Sequence, residues 1–305
     1  MVKNFTLTRF APTPSGFLHL GNVLSFAITA AIAKKHGARI LLRIDDLDQN
    51  RTKKEYIQDI FDTLNFLGFW WDIGPKTIGD FDQVFSQHQR IPYYKDALRQ
   101  LMINKNVFAC ECSRKKITRS HQGPGYPGTC IRKKLELGLP GTSLRVFTPT
   151  STPIIGVAYL SDELIAPMPK EMNGFIVRKK DQMPSYQLAS LLDDIWFGVD
   201  LVVRGQDLYN STLAQLYLSS LLPQTKAFKD TVFLHHPLLF DGKAKMAKSK
   251  GATSILSMRD SGMKPADIFQ QIGNSLGIPG KMTSLSHLIA GLSKYDYQTM
   301  SKFSV

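Results

Sequence analysis

His19-Leu20-Gly21-Asn22 sits at the end of a turn, Ala11-Pro12-Thr13-Pro14-Ser15-Gly16, whose prolines and glycine forbid continued strand or helix. Such a turn, leading into a helix, offers free backbone N–H groups and the positive end of the helix to an anion. His19 can donate a hydrogen bond to a phosphate oxygen, and Gly21, without a Cβ, lets a flat purine approach the backbone. A preorganised donor aimed at charge that grows in a transition state is worth about 3 kcal/mol. Far downstream, Asp241-Gly242-Lys243-Ala244-Lys245-Met246-Ala247-Lys248-Ser249-Lys250-Gly251 is a glycine-bounded loop with four lysines. Lysines on a loop can close over a triphosphate and neutralise charge at the α-phosphate and the leaving pyrophosphate. A third chemistry lies between them. Cys110-Glu111-Cys112 and, beyond a Gly-Pro-Gly-Tyr-Pro-Gly loop, Cys130 supply the thiolates of a zinc clamp. The fourth ligand must be another residue type, because the chain has three cysteines. His121 is the usual chemical choice, and Tyr126 lies in the same loop. A closed four-ligand site leaves no open position, so the metal would be structural.

The elements needed to position these groups are readable. Phe5 to Phe10 alternates like a strand. Asn22 to His36 is helical in pattern, with Leu24, Ala27, Ile28, Ala31 and Ile32 on one face and a basic last turn before Gly37. Arg39 to Ile44 is a continuous apolar run suited to a buried parallel strand. Strand, turn, helix, strand opens a doubly wound α/β fold, which binds ligands at the carboxyl ends of its strands. From about Ile91 to Ile155 that alternation stops, which predicts an inserted domain. It resumes with a helix from Tyr186 to Asp194, a strand from Val199 to Arg204 and a helix from Leu213 to Leu222. Ala266 to Leu276 is the best helix of a short helical tail.

The whole chain sets outer bounds. At 305 residues it suits two domains, or one interrupted by another. No apolar run approaches the roughly 20 residues that span a bilayer. An N-terminus without a secretion signal and an odd cysteine count argue against a disulfide framework and for a reducing cytoplasm. The formal net charge of +13 favours a polyanionic partner, nucleic acid first.

His19-Leu20-Gly21-Asn22 resembles the HIGH motif of class I aminoacyl-tRNA synthetases, and Lys245-Met246-Ala247-Lys248-Ser249 resembles their KMSKS loop. Arg9 to Gly16, Arg43-Ile44-Asp45-Asp46-Leu47-Asp48, Tyr186-Gln187-Leu188-Ala189 with Asp193-Asp194, and Val203 to Leu208 are similar to segments of the glutamyl-tRNA synthetase group. The Cys-x-Cys…Tyr-x-x-x-Cys pattern, with only about 55 residues after Lys250, resembles that of the glutamyl-Q tRNA(Asp) synthetases within it, which lack the anticodon-binding domain.

The resemblance implies a Rossmann-like class I catalytic domain, α/β and doubly wound, with an inserted zinc-bearing α/β subdomain and a short helical C-terminal extension. Its expected divisions are 1–90 for the first catalytic half, 91–185 for the insertion, 186–253 for the second half and 254–305 for the helical stem. Catalysis would fall to His19 and Lys248. ATP, carried with Mg2+, would meet Pro12, His19, Gly21, Asn22, Lys245 and Lys248. L-Glutamate would meet Arg9, Thr13, Asp45, Tyr186 and Arg204, an arginine fork being suited to a carboxylate. Structural Zn2+ would be held by Cys110, Cys112, Tyr126 and Cys130. The implied activity is ATP-dependent formation of glutamyl-adenylate and transfer to the queuosine base in the anticodon of tRNA(Asp), by a cytoplasmic monomer. A truncated synthetase charging the tRNA 3′ end and a non-catalytic tRNA-binding paralogue are the alternatives. Two positions depart from the family. Asp45 replaces a glutamate that would receive the substrate's amino group and is about one C–C bond, 1.5 Å, shorter; Ala247 replaces a serine.

Overall fold

A computed structural model of the chain describes residues 5–149, 154–158, 163–241, 244–245 and 253–294; for residues 120, 154, 240, 241, 244 and 245 it describes the backbone alone. In chain order the elements begin with β1 (Leu7–Phe10), α1 (Leu20–His36), β2 (Arg39–Leu42), α2 (Lys54–Phe66), α3 (Ile78–Asp80) and α4 (Ile91–Ile103). They continue with β3 (Val107–Cys110), α5 (Arg114–Ser120), β4 (Ser143–Val146), β5 (Ile154–Ala158), β6 (Glu163–Pro167), β7 (Ile176–Arg178), α6 (Tyr186–Phe197), β8 (Leu201–Gly205) and α7 (Tyr209–Ser220). Last come β9 (Val232–His236), β10 (Phe240–Asp241), β11 (Ala244–Lys245), α8 (Ile255–Asp260), α9 (Pro265–Ser275) and α10 (Leu285–Ser293). Among these residues no helix is long and apolar enough to cross a membrane.

The chain folds as two compact units. Residues 1–89, 199–207 and 233–305 make the first, and residues 90–198 and 208–232 the second. In the first, β1 and β2 pair in parallel with Leu7 opposite Arg39, joined through α1. This is the expected β-α-β opening. β2 stops two residues before the predicted Ile44, yet the pairing persists beyond it: Arg43 N–H donates to Phe10 O (2.9 Å) and Asp45 N–H to Pro12 O (3.0 Å). β8 packs beside β1 and has β9 as its sheet neighbour. Asp200 fastens this edge, its carboxylate accepting from the backbone N–H groups of Thr6 (2.8 Å) and Leu7 (3.0 Å). α1 is buried around nearly its whole girth, from Leu20 through Ala33, because β1, β2 and β8 pack against it along with α9 and α10. An all-round apolar helix belongs in such a place.

The second unit is built differently. β3, β4 and β7 form an antiparallel sheet, Cys110 standing opposite Ser143. α4 and α6 pack together around the buried Asp193, which accepts from Arg90 Nε (2.7 Å), Arg90 Nη2 (3.1 Å) and Tyr94 Oη (2.5 Å). β5 and β6 form an antiparallel hairpin in the same unit. The antiparallel pattern over Val107–Arg178 accounts for the halt in β-α alternation seen in the sequence.

Candidate active site and metal centre

The phosphate turn closes with a helix cap. His19 is extended (φ −131°, ψ 171°) and is the N-cap of α1. Its Nδ1 accepts from Gly21 N–H (3.1 Å), while Asn22 Oδ1 accepts from His19 N–H (3.1 Å), a reciprocal capping box. α1 therefore begins at Leu20, two residues before the expected Asn22. An Nδ1 that accepts puts the proton of a neutral ring on Nε2, so the far edge of the imidazole is a donor. A Cβ on Gly21 would stand 2.9 Å from His19 Cε1, so the glycine is required for the ring to fold back over the helix start. Behind the turn, buried Asp59 of α2 accepts from Leu18 N–H (2.8 Å), and burial raises its pKa.

The chain beyond the lysine loop returns to this cap. Ser254 forms an antiparallel bridge with His19, and Ile255 N–H donates to Leu18 O (2.8 Å). On the entry side, β10 and β11 form a short antiparallel hairpin that includes the backbone of Lys245. Lys248 lies outside the described residues, as does the side chain of Lys245.

Arg9, Asp45 and Arg204 belong to the same unit as His19 and are buried. Arg9 Nη1 donates to Val203 O (3.0 Å), and the Arg204 guanidinium stands 5.3 Å from the centre of the Phe233 ring. Asp45 is held by an arginine that sequence reasoning missed. Arg43 Nε donates to Asp45 Oδ1 (2.7 Å) and Nη2 to Oδ2 (3.1 Å), with the Arg43 side chain 1% exposed. The signal was available in the spacing, since residues i and i+2 of an extended segment share a face. Asp46 turns elsewhere: it accepts from Ser86 Oγ (2.6 Å) and Gln87 N–H (2.8 Å), and burial raises its pKa. Pro12 and Thr13 lie in the turn itself, Thr13 O accepting from Ser15 N–H (2.8 Å). Tyr186 opens α6 in the second unit and is 41% exposed.

The three cysteines converge in the second unit. Their sulfurs lie within 4.8 Å of one another, and all three are free and buried. Tyr126 Oη stands 3.3 Å from Cys110 Sγ and 3.9 Å from Cys112 Sγ, and accepts from Cys130 N–H (2.8 Å). His121 is not a member of this group. Cys112 and Cys130 sulfurs are 3.5 Å apart. Tetrahedral thiolates about 2.3 Å from zinc stand roughly 3.8 Å from each other, so the donor set fits that ion. Gly125 (φ 77°) makes the loop possible, since a Cβ there would fall 2.0 Å from Lys170 O. Tyr126 is thereby seated with its N–H on Asn173 O (3.2 Å) and its ring 4.2 Å from the Arg145 guanidinium.

Residues 6–285 match the family model for tRNA synthetases class I (E and Q), catalytic domain. The chain is 34% identical over 289 residues to a glutamyl-Q tRNA(Asp) synthetase of Rhodobacter capsulatus, covering 88% of this chain and 99% of that protein. It is 33% identical over 294 residues to glutamate–tRNA ligase 1 of Syntrophus aciditrophicus, where it spans 93% of itself but 59% of the relative's length. A crystal structure of a glutamate tRNA ligase from Elizabethkingia meningosepticum shares the fold at a TM-score of 0.69 and 20% identity, covering 98% of this chain and 66% of that one. The chain belongs to the class I (E and Q) tRNA synthetase family, has its mixed α/β catalytic-domain fold, and is a ligase.

Proposed function

We propose that this synthetase-family ligase activates L-glutamate with ATP and transfers it to the queuosine base of tRNA(Asp). The observation that carries the adenylation half is the fastening of Ser254 to His19, which brings the exit of the lysine loop to the head of α1. In the proposed reaction an α-carboxylate oxygen of glutamate attacks the α-phosphorus of ATP. The bond to the β-phosphate oxygen breaks and pyrophosphate leaves. His19 Nε2–H, the N-terminus of α1 and Lys248 stabilise the negative charge of that transition state. Arg9 and Arg204 pair with the substrate's carboxylates, Tyr186 hydrogen-bonds the substrate, and Asp45 receives its amino group. Asp45 and its neighbour Asp46 both hold protein partners, Arg43 for the first and Ser86 with Gln87 for the second, so the choice of Asp45 rests on the family resemblance. In the second step a hydroxyl of the acceptor attacks the acyl carbon and AMP leaves. Cys110, Cys112, Cys130 and Tyr126 Oη would hold Zn2+, which would supply a structural cross-link. The +13 net charge suits the polyanionic acceptor.

The queuosine acceptor is favoured by a relative of that name matched at 34% identity over 99% of its length. A tRNA 3′ end as acceptor is the second reading, supported by the 33% identity to a glutamate–tRNA ligase. Glutamate-dependent ATP–pyrophosphate exchange without tRNA tests the first half. Labelled transfer then decides the second, using tRNA(Asp) with and without queuosine and tRNA lacking its terminal adenosine. Transfer that survives loss of queuosine but not loss of the terminal adenosine would overturn the queuosine assignment.

A further inference from the structure

Leu18, the residue before His19, has both of its backbone polar atoms held from distant parts of the chain. Its N–H donates to Asp59 Oδ2 of α2 (2.8 Å), and its O accepts from Ile255 N–H of α8 (2.8 Å). The next amide is held as well, since His19 N–H donates to Asn22 Oδ1 (3.1 Å). The peptide planes on both sides of Leu18 are therefore fixed, and with them the direction in which His19 leaves the chain. α2 grips the turn a second time through Tyr56, whose ring meets Phe17 edge-on at 5.0 Å.

A carboxylate is a demanding choice for this duty. Asp59 is 3% exposed, and burying a charge costs more than burying a hydroxyl that could accept the same N–H. Thr63 Oγ1 reaches its other oxygen only at 3.4 Å. What a carboxylate adds is a stronger grip on the N–H and a charge. That charge is felt by α8, whose Arg259 acts on Asp59 electrostatically, and α2 and α8 pack together. The chain enters α8 on leaving the lysine-rich loop, and Ser254 at its head bridges to His19. One buried carboxylate thus serves the histidine turn on one side and the helix after the loop on the other, all within one unit.

We infer that Asp59 is a positioning residue for adenylation: by fixing Leu18 it aligns the His19 imidazole with the exit of the lysine-rich loop. The inference rests on the reading that His19 acts on ATP. Asp59 acts through His19, so its effect falls on the transition state and not on the affinity for either substrate.

Glutamate-dependent ATP–pyrophosphate exchange in a double-mutant cycle tests this. The cycle combines His19→Ala with Asp59→Leu, which keeps the shape of the side chain and removes the acceptor. Asp59→Leu alone should lower kcat roughly tenfold and leave KM for ATP and for glutamate within about twofold. In the His19→Ala background the same substitution should change kcat by less than about twofold, because the group it aligns is gone. Asp59→Asn, whose amide oxygen is a weaker acceptor, should recover most of the rate. A loss of equal size in both backgrounds overturns the inference, since it marks a general loosening of the unit. So does an Asp59→Leu enzyme that melts earlier but keeps its kcat. Should Asp59→Leu fail to fold, Asp59→Asn takes its place in the cycle: a loss of about threefold is expected only where His19 is present, and no loss, or an equal one, overturns the inference. A wild type with no glutamate-dependent exchange refutes the proposed function instead. Positioning is then read without activity, from the imidazole nitrogen shifts of His19. A single tautomer protonated on Nε2 is expected in the wild type and a mixture in the Asp59 variant; the same tautomer in both overturns the inference.

Discussion

The phosphate turn and the cysteine cluster are both small polar sites, but they are assembled from opposite materials. At the turn, the atoms proposed to act are backbone N–H groups and one imidazole edge, and the fold supplies what lies behind them: Asp59 under Leu18, Ser254 across from His19, the buried length of α1. At the cluster the functional side chains are themselves the core. Cys110, Cys112, Tyr126 and Cys130 pack with Phe108, and Ile117 and Leu135 cover them. The first site is held by its scaffold, whereas the second holds its scaffold. Loss of a side chain should therefore cost chemistry at one and structure at the other.

The sharpest way to break this contrast is Cys112→Ala. Zinc content should fall from one per chain towards none, and the module should loosen by several kcal/mol, since structural zinc contributes about 10 kcal/mol or more in small metal-organised folds. Transfer to tRNA should be lost while ATP–pyrophosphate exchange persists. Metal analysis and the two assays read this directly, and equal loss of both activities would erase the distinction. Next in size, Lys248→Ala should slow adenylation by roughly 10²–10³-fold with no change in melting temperature. A variant within twofold would remove Lys248 from catalysis.

These effects differ in how much of their basis the sequence disclosed. The β-α-β opening was legible because its determinants are local: an apolar run, a helix with a basic last turn, and Gly37, which adopts φ 68° after it. The cysteine cluster was legible because three thiols and a tyrosine have few other uses together. What escaped depends on contacts distant in the chain or on rotamers. Asp46 reaches Ser86 and Gln87, forty and forty-one residues away, so nothing near it could show that it is spoken for. Arg43 and Asp45 are the exception: two apart in an extended segment, they share a face, and their pairing could have been read from the spacing. The proton on His19 follows from which ring nitrogen meets Gly21, a choice that no spacing reveals.

Two smaller effects sharpen the scaffold side of the comparison. Gly21→Ala should displace the imidazole, because its new Cβ meets the ring at 2.9 Å. We expect about tenfold slower exchange from one misdirected donor, and only about 1 kcal/mol of lost stability from the cap. Full activity would mean the ring edge is not used. Asp45→Glu retains charge but pushes one more carbon against Arg43. It should raise KM for glutamate by up to about tenfold and leave kcat and KM for ATP nearly unaltered, a transition-state-neutral loss of binding. An unchanged KM would detach Asp45 from the amino group.

The nearly complete enclosure of α1 has one more implication. From Val23 to Ala33 every residue but Ser25 is buried, against the surrounding strands and α9 and α10. Proton–deuterium exchange there should proceed only through global opening of the first unit, among the slowest in the chain. The N-terminal end of that helix thus has no separate melting event: heat or denaturant silences it when the whole unit goes, and not before.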